Sequence, residues 1–151
     1  LDEENLEFCK NILKDYKDKI ILPVDVAVTT EYSENEPYKT KAITEMNENE
    51  QGLDIGPKTV ELFESYLKEA SIAVWNGPLG VYEFEKYKKG TDELLKFVVD
   101  NNIKIILGGG DIVAAASLAE YKDKVYHAST GGGATLEYLE GKTLPGLEAI
   151  K

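Results

Sequence analysis

Two glycine runs in this chain carry the side chains best suited to holding a phosphate. Gly108-Gly109-Gly110-Asp111 follows the apolar strand Ile105-Ile106-Leu107, and Ser129-Thr130-Gly131-Gly132-Gly133 follows Val125-Tyr126-His127-Ala128. Each run is expected to open a helix, whose first N–H groups lack intrahelical acceptors and attract anions. Glycine lets phosphate oxygens come close to the backbone. Asp111 either complements the helix dipole as a cap or binds a divalent cation, and the motif alone supports both equally. Mg2+ needs only one or two carboxylates when substrate phosphates complete its shell. Ser129 and Thr130 are adequate as plain N-caps, but the three glycines that follow exceed what a cap requires. That excess tilts the reading toward an anion site.

A third turn, Asn76-Gly77-Pro78-Leu79-Gly80-Val81-Tyr82-Glu83, follows the strand Ile72-Ala73-Val74-Trp75. It is too long and too apolar for a phosphate seat. Pro78, Leu79 and Val81 suit the wall of a flat base, with Glu83 accepting from sugar hydroxyls; the plainer reading of Glu83 is a surface carboxylate. His127 and Cys9 read as core residues, because no nucleophile arrangement surrounds the histidine and nothing near the thiol lowers its pKa. The chain has neither a G-x-x-x-x-G-K-[ST] loop nor a G-x-G-x-x-G followed by a ribose-binding acid.

Carrying three such turns on one rim requires a parallel sheet, because the carboxyl ends of its strands share one edge. The hydrophobic pattern supplies it. Apolar runs alternate with amphipathic helices: residues 57–69 with Val60, Phe63 and Leu67 inward, then 91–101 with Leu94, Leu95, Val98 and Val99 inward. Short helices over 112–118 and 133–139 complete a β-α-β-α order. Upstream, residues 2–17 read as a helix with Leu6, Cys9, Leu13 and Tyr16 on one face. Ile20-Ile21-Leu22 and Val24-Asp25-Val26-Ala27-Val28 read as strand around Pro23. Residues 29–51 are polar and acidic, a solvated loop with a surface hairpin through Tyr38 to Thr44. The fold expected is α/β, a doubly wound, Rossmann-like parallel sheet covered on both faces.

At 151 residues the chain fits one domain, and its 42% hydrophobic content suffices for a core. The formal charge of -11, from 17 basic and 28 acidic side chains, argues against a nucleic-acid partner. All the basic residues are lysines, so a phosphate site here lacks arginine clamps. No apolar run approaches the ~20 residues of a membrane span, and the start is unlike a signal peptide. The one cysteine cannot form an internal disulfide, which fits a reducing, cytoplasmic setting. Met46 is the only methionine and none opens the sequence, which by itself proves little but makes a fragment worth considering.

Five motifs in order resemble phosphoglycerate kinases: Leu22-Pro23-Val24-Asp25; Gly52-Leu53-Asp54-Ile55-Gly56-Pro57; Val74-Trp75-Asn76-Gly77-Pro78-Leu79-Gly80-Val81-Tyr82-Glu83-Phe84; Gly108 to Asp111; and Ser129 to Ala134, continuing through Leu139-Glu140-Gly141-Lys142 to Leu144-Pro145-Gly146. The resemblance covers essentially all of residues 1–151. It implies a partial carboxyl-terminal nucleotide-binding domain of a two-domain kinase, with the phosphoglycerate-binding domain absent. The activity implied is reversible phosphoryl transfer between 1,3-bisphosphoglycerate and Mg-ADP, giving 3-phosphoglycerate and Mg-ATP in glycolysis, in a monomer when complete. By position, Asp111 binds Mg2+ and Glu83 the ribose. Gly52, Asn76, Gly77, Pro78, Tyr82, Gly108, Gly109, Gly110 and Ile112 line the nucleotide site. Gly110, Thr130 and Gly133 contact the phosphoryl group in flight. Ile112 departs from the family, which usually has Ser or Thr there, and so lacks one phosphate-binding hydroxyl. Alone, the piece is expected to be inactive. The alternatives are a Mg-nucleotide-binding half-domain without catalysis, or a fragment that associates through an open sheet edge.

Overall fold

The computed structural model describes residues 5–150. Its parallel sheet has the order β4 (Ala73–Trp75), β5 (Ile105–Gly108), β6 (His127–Ser129). Trp75 pairs with Leu107, and Gly108 with Ser129, so all three strands end level with one another. The helices between them are α3 (Lys89–Asp100) and α4 (Gly110–Leu118), and α5 (Gly132–Leu139) follows β6. Leu95 and Val98 of α3, Ile105 and Leu107 of β5, and Ile112, Val113 and Ala116 of α4 form the main core. The α/β class and the parallel sheet expected from the pattern are present.

A second sheet departs from expectation. β1 (Asp25–Thr29) lies between β2 (Lys39–Ala42) and β3 (Gln51–Ile55), antiparallel to both. Residues 29–51 are therefore not simply a solvated loop: the Tyr38-to-Thr44 part supplies an edge strand, and Gln51 begins the third strand. The Lys41 ammonium bonds the Glu50 carboxylate (2.7 Å), which also accepts from the Asn47 amide (2.8 Å). That backbone bond, ahead of the lysine, holds the Glu50 carboxyl below its ordinary pKa. Ile20-Ile21-Leu22 forms no strand, because the backbone ladder begins only at Asp25.

Helix α2 (Pro57–Glu69) bridges the two sheets, and its start is fixed by β1. Asp25, 4% exposed, accepts from the amides of Lys58 (3.1 Å) and Thr59 (2.8 Å), both orphaned in the helix's first turn. The Thr59 hydroxyl lies 2.7 Å from Asp25 Oδ1 and accepts from the Val24 and Asp25 amides, each at 3.0 Å. A Cβ on Gly56 would collide with this carboxylate, so only glycine lets helix and strand approach. From there Val60 packs with Ile55 and Leu94, while Phe63, Leu67, Trp75 and Leu79 close around them.

Three expectations about the periphery are corrected. The expected start of the first helix at Asp2 lies outside the described residues; α1 (Leu6–Asp15) buries none of its residues. Cys9 is exposed, as are Leu6, Leu13 and Tyr16, because no other described element packs over that face. His127 is exposed as well: it begins the outermost strand, whose outer flank is open. Coverage of both sheet faces also fails at the opposite edge, where Val74 of β4 is 41% exposed. The short α6 (Pro145–Glu148) ends the described chain.

Replacing Thr59 by Val keeps the shape but strands the buried Asp25 amide and the part-buried Val24 amide. The variant is expected to lose about 1–3 kcal/mol, seen as a lower urea midpoint with an unchanged slope, while Thr59→Ser stays near the parent.

Candidate functional site

The level ends of β4, β5 and β6 place the three sequence-predicted turns side by side. The Gly109 amide donates to the Ser129 carbonyl (2.8 Å), joining the first glycine turn to the second. Gly109 has φ +132°, a backbone conformation open to glycine, and it caps the start of α4. A Cβ on Gly132 would lie 2.9 Å from the Gly109 Cα and 3.0 Å from Asn76 Oδ1. Asn76, Gly109 and Gly132 thus meet at one point, each from a different turn. Gly108 lies behind them, its Cβ position 3.3 Å from the Thr135 side chain.

Helices α4 and α5 both start at this point, and neither has a side-chain cap. In α4 the Val113 amide is the first to bond back, to Gly109; in α5 it is Thr135, to Gly131. The preceding amides, those of Gly110 and Gly133 among them, have no acceptor within their helices. Open space surrounds both positions where a Cβ would stand. The Ser129 hydroxyl accepts from the Gly131 amide (3.2 Å), and the exposed Thr130 leads into the same turn. Two uncapped helix starts side by side form a concave anion seat.

Asp111 stands exposed in the first turn of α4 and does not cap it by a hydrogen bond. No group of three potential metal-binding side chains exists among the described residues. One free carboxylate beside an anion seat fits Mg2+, which takes few protein ligands when phosphate oxygens supply the rest. Ile112 is fully buried in the cluster with β5 and α3, and its Cγ2 lies 3.9 Å from where a Cβ on Gly109 would stand.

The third turn is built as a wall. Trp75 Nε1 donates to the Gly77 carbonyl (2.7 Å), where Gly77 takes φ +80°. The Leu79 amide donates to the buried Thr91 hydroxyl (3.0 Å), and the Val81 amide to the Leu53 carbonyl (2.8 Å). A groove of about 360 Å³ results, lined by Gly52, Leu53, Pro78, Leu79, Gly80 and Val81 among others. Gly52 and Pro78, far apart in the chain, thus line the same groove. Tyr82 and Glu83 lie just beyond the groove, half-buried and exposed respectively. Burial, then the charges of Glu83 and Asp111, push the Tyr82 phenol above its ordinary pKa, so these three groups share one electrostatic field.

Sequence reasoning missed Asp54. It is 5% exposed and accepts from the amides of Ile55 (2.8 Å) and Gly90 (2.9 Å). The available signal was a lone carboxylate flanked by Leu53 and Ile55 within a strand.

The family model described as phosphoglycerate kinase matches residues 1–142. Among curated relatives, the phosphoglycerate kinase of Enterococcus faecalis is 46% identical over 99% of this chain, and that of Fusobacterium nucleatum is 44% identical over the same share. The chain spans 38% of the length of each. The solved phosphoglycerate kinase of Coxiella burnetii superposes with a TM-score of 0.89 at 37% identity, covering 97% of this chain and 39% of that one. The enzyme from Pyrococcus horikoshii gives 0.83 at 33%, covering 97% and 36%. Rim, glycine turns and sequence agree, and the chain belongs to the phosphoglycerate kinase family.

Proposed function

We propose that this chain is the nucleotide side of a phosphoglycerate kinase, part of a carboxyl-terminal domain whose phosphoglycerate-binding partner domain lies outside residues 1–151. The reaction is reversible phosphoryl transfer from 1,3-bisphosphoglycerate to Mg-ADP, giving 3-phosphoglycerate and Mg-ATP, a step of cytoplasmic glycolysis in a monomeric enzyme. The observation that carries this reading is the meeting of two uncapped helix starts at Gly109 and Gly132, beside a free carboxylate and an apolar groove.

Each part of the rim has a role that follows from its chemistry. Gly52 and Pro78 hold the base, with Gly77 and Tyr82 beside them, and Glu83 accepts from the ribose hydroxyls. Asn76 and the Gly108-Gly109-Gly110 turn hold the phosphate chain against the start of α4. Gly110, Thr130 and Gly133 face the phosphoryl group in transfer, where fixed amide dipoles stabilise developing charge. Asp111 holds Mg2+, which when bound neutralises phosphate charge. The chain has no arginine, so acyl-phosphate binding and further cations come from polypeptide beyond this chain. By itself the chain therefore binds nucleotide without turning over.

A second reading is supported by surface area. The accessible surface is 10259 Å², whereas a folded monomer of 16.7 kDa exposes about 7,600 Å². Part of the excess lies along the open edge of β4, beside an apolar groove of about 350 Å³ lined by Phe63, Tyr66, Leu67, Val74 and Trp75. Such an edge accepts another strand, so the chain taken alone associates through it.

Calorimetric titration tests the main reading. ADP is expected to bind in the presence of Mg2+, with Asp111→Asn removing most of the metal dependence; a folded chain that ignores Mg-ADP overturns it. Gly132→Ala forces two backbones apart and is expected to lower the melting temperature by about 3–10 °C, while Gly133→Ala, with free space around it, leaves melting near the parent's. In sedimentation velocity the isolated chain should show mass rising with concentration. A strict monomer throughout would remove the association reading.

A further inference from the structure

We propose that Asp54 is a positioning residue for the nucleotide wall: its carboxylate clamps both ends of the turn carrying Tyr82 and Glu83. This assignment rests on that turn being the base-and-ribose wall. Asp54 lies on β3, facing away from solvent, and among the described residues no lysine forms an ion pair with it. Its Oδ2 accepts from the Gly90 amide, in the first turn of α3, and its Oδ1 from the Ile55 amide. Gly80, at the other end of the turn, packs so closely on the same carboxylate and on the Tyr87 carbonyl that a Cβ would collide with both. One carboxylate therefore touches the segment where it leaves the groove and where it enters α3. Between those points Tyr87 is fully buried, and Phe84 packs against it.

The groups facing Asp54 are accounted for. From α3, Asp92 and Glu93 repel its charge. Lys89 of α3 is drawn to the Tyr38 hydroxyl (3.3 Å), and Lys86 of the turn donates to the Glu36 carbonyl (3.4 Å). Thr40 of β2 lines the same cleft, and β1 places Ala27 opposite. Burial, against the pull of the Gly90 and Ile55 amides, raises the Asp54 carboxyl to about 6. Protonation adds one O–H donor while both oxygens keep acceptor lone pairs, so the neutral acid still accepts from the two amides and its titration is felt at both.

Because burial raises the folded-state pKa from the ordinary 3.8 to about 6, ionised Asp54 opposes the buried arrangement, and the penalty is relieved as pH falls through about 6 toward 4. Opening the clamp exposes the carboxyl to water, so the same linkage makes the clamp hold more tightly at the lower pH. Amide spectra of the whole chain read the local effect directly. The Gly90 and Ile55 resonances are expected to titrate near pH 6, and hydrogen exchange over residues 80–90, corrected for intrinsic rates, to slow about tenfold between about pH 7 and 5. Mg-ADP affinity, after correction for the ligand's own titration, should rise over that interval. In Asp54→Asn, which keeps an acceptor but cannot titrate, all three pH dependences disappear. A Gly90 amide indifferent to pH in the parent overturns the proposal without need of any variant, as does unaltered exchange across the turn. Titration of both amides with no ADP binding by either protein overturns the nucleotide reading instead and leaves the clamp standing.

Discussion

The contact between Gly109 and Gly132 is the constraint on which the rim depends. Two helix starts, each with bare amides, face the same space, and ordinary side chains would hold them several ångströms further apart. The parallel register of β4, β5 and β6 brings the turns level, but register alone cannot close the last distance. The absence of a Cβ at Gly132, 2.9 Å from the Gly109 Cα position, does so. The Asn76 side chain then fills the remaining corner, so the third turn is located by the same contact. Backbone amides aimed in advance need no reorganisation when charge arrives, which is the main electrostatic resource of a phosphoryl-transfer site.

Buried carboxylates serve this chain as backbone anchors, without paired cations. Asp25 and Asp54 are 4% and 5% exposed, and each sits at the first turn of a helix, α2 and α3 respectively. An anion there meets orphan amides and the positive end of the helix dipole together. The two sites differ in degree. Asp25 has the Thr59 hydroxyl in addition to two amides, and Asp54 has amides alone with acidic neighbours on α3. In both places a glycine, Gly56 or Gly80, removes the side chain that would block the carboxylate. Helix placement is thereby tied to the sheets at points where apolar packing alone would allow sliding.

Much of the candidate site was legible because its chemistry is local. A glycine run after an apolar strand states both where the chain turns and what can approach it, and Asp111 follows directly in sequence. The Asn76-to-Glu83 turn was readable for the same reason, being one continuous segment, whereas Gly52 and Leu53 reach the groove only through the fold. The antiparallel sheet was not, because its strands are four or five residues long and two of them are polar on the outer face. Asp54 was missed since its role depends on Gly80 and Gly90, which are distant in sequence. Cys9 and His127 were misjudged in the other direction: an apolar stripe predicts a buried face only if another element covers it, and none of the described elements does.

By itself, the sequence determined the kinds of group available: two glycine turns after apolar strands, a carboxylate beside one of them, an apolar third turn, no arginine, and the order of elements. Those properties follow from residue type and short-range periodicity. Only the tertiary structure decided which turns meet, that Ile112 belongs to the core, and that Asp54 lies against Gly80 and the Gly90 amide. Each of these depends on distances between segments far apart in the chain. Such distances are set by strand register and by close backbone approach, which no local pattern records.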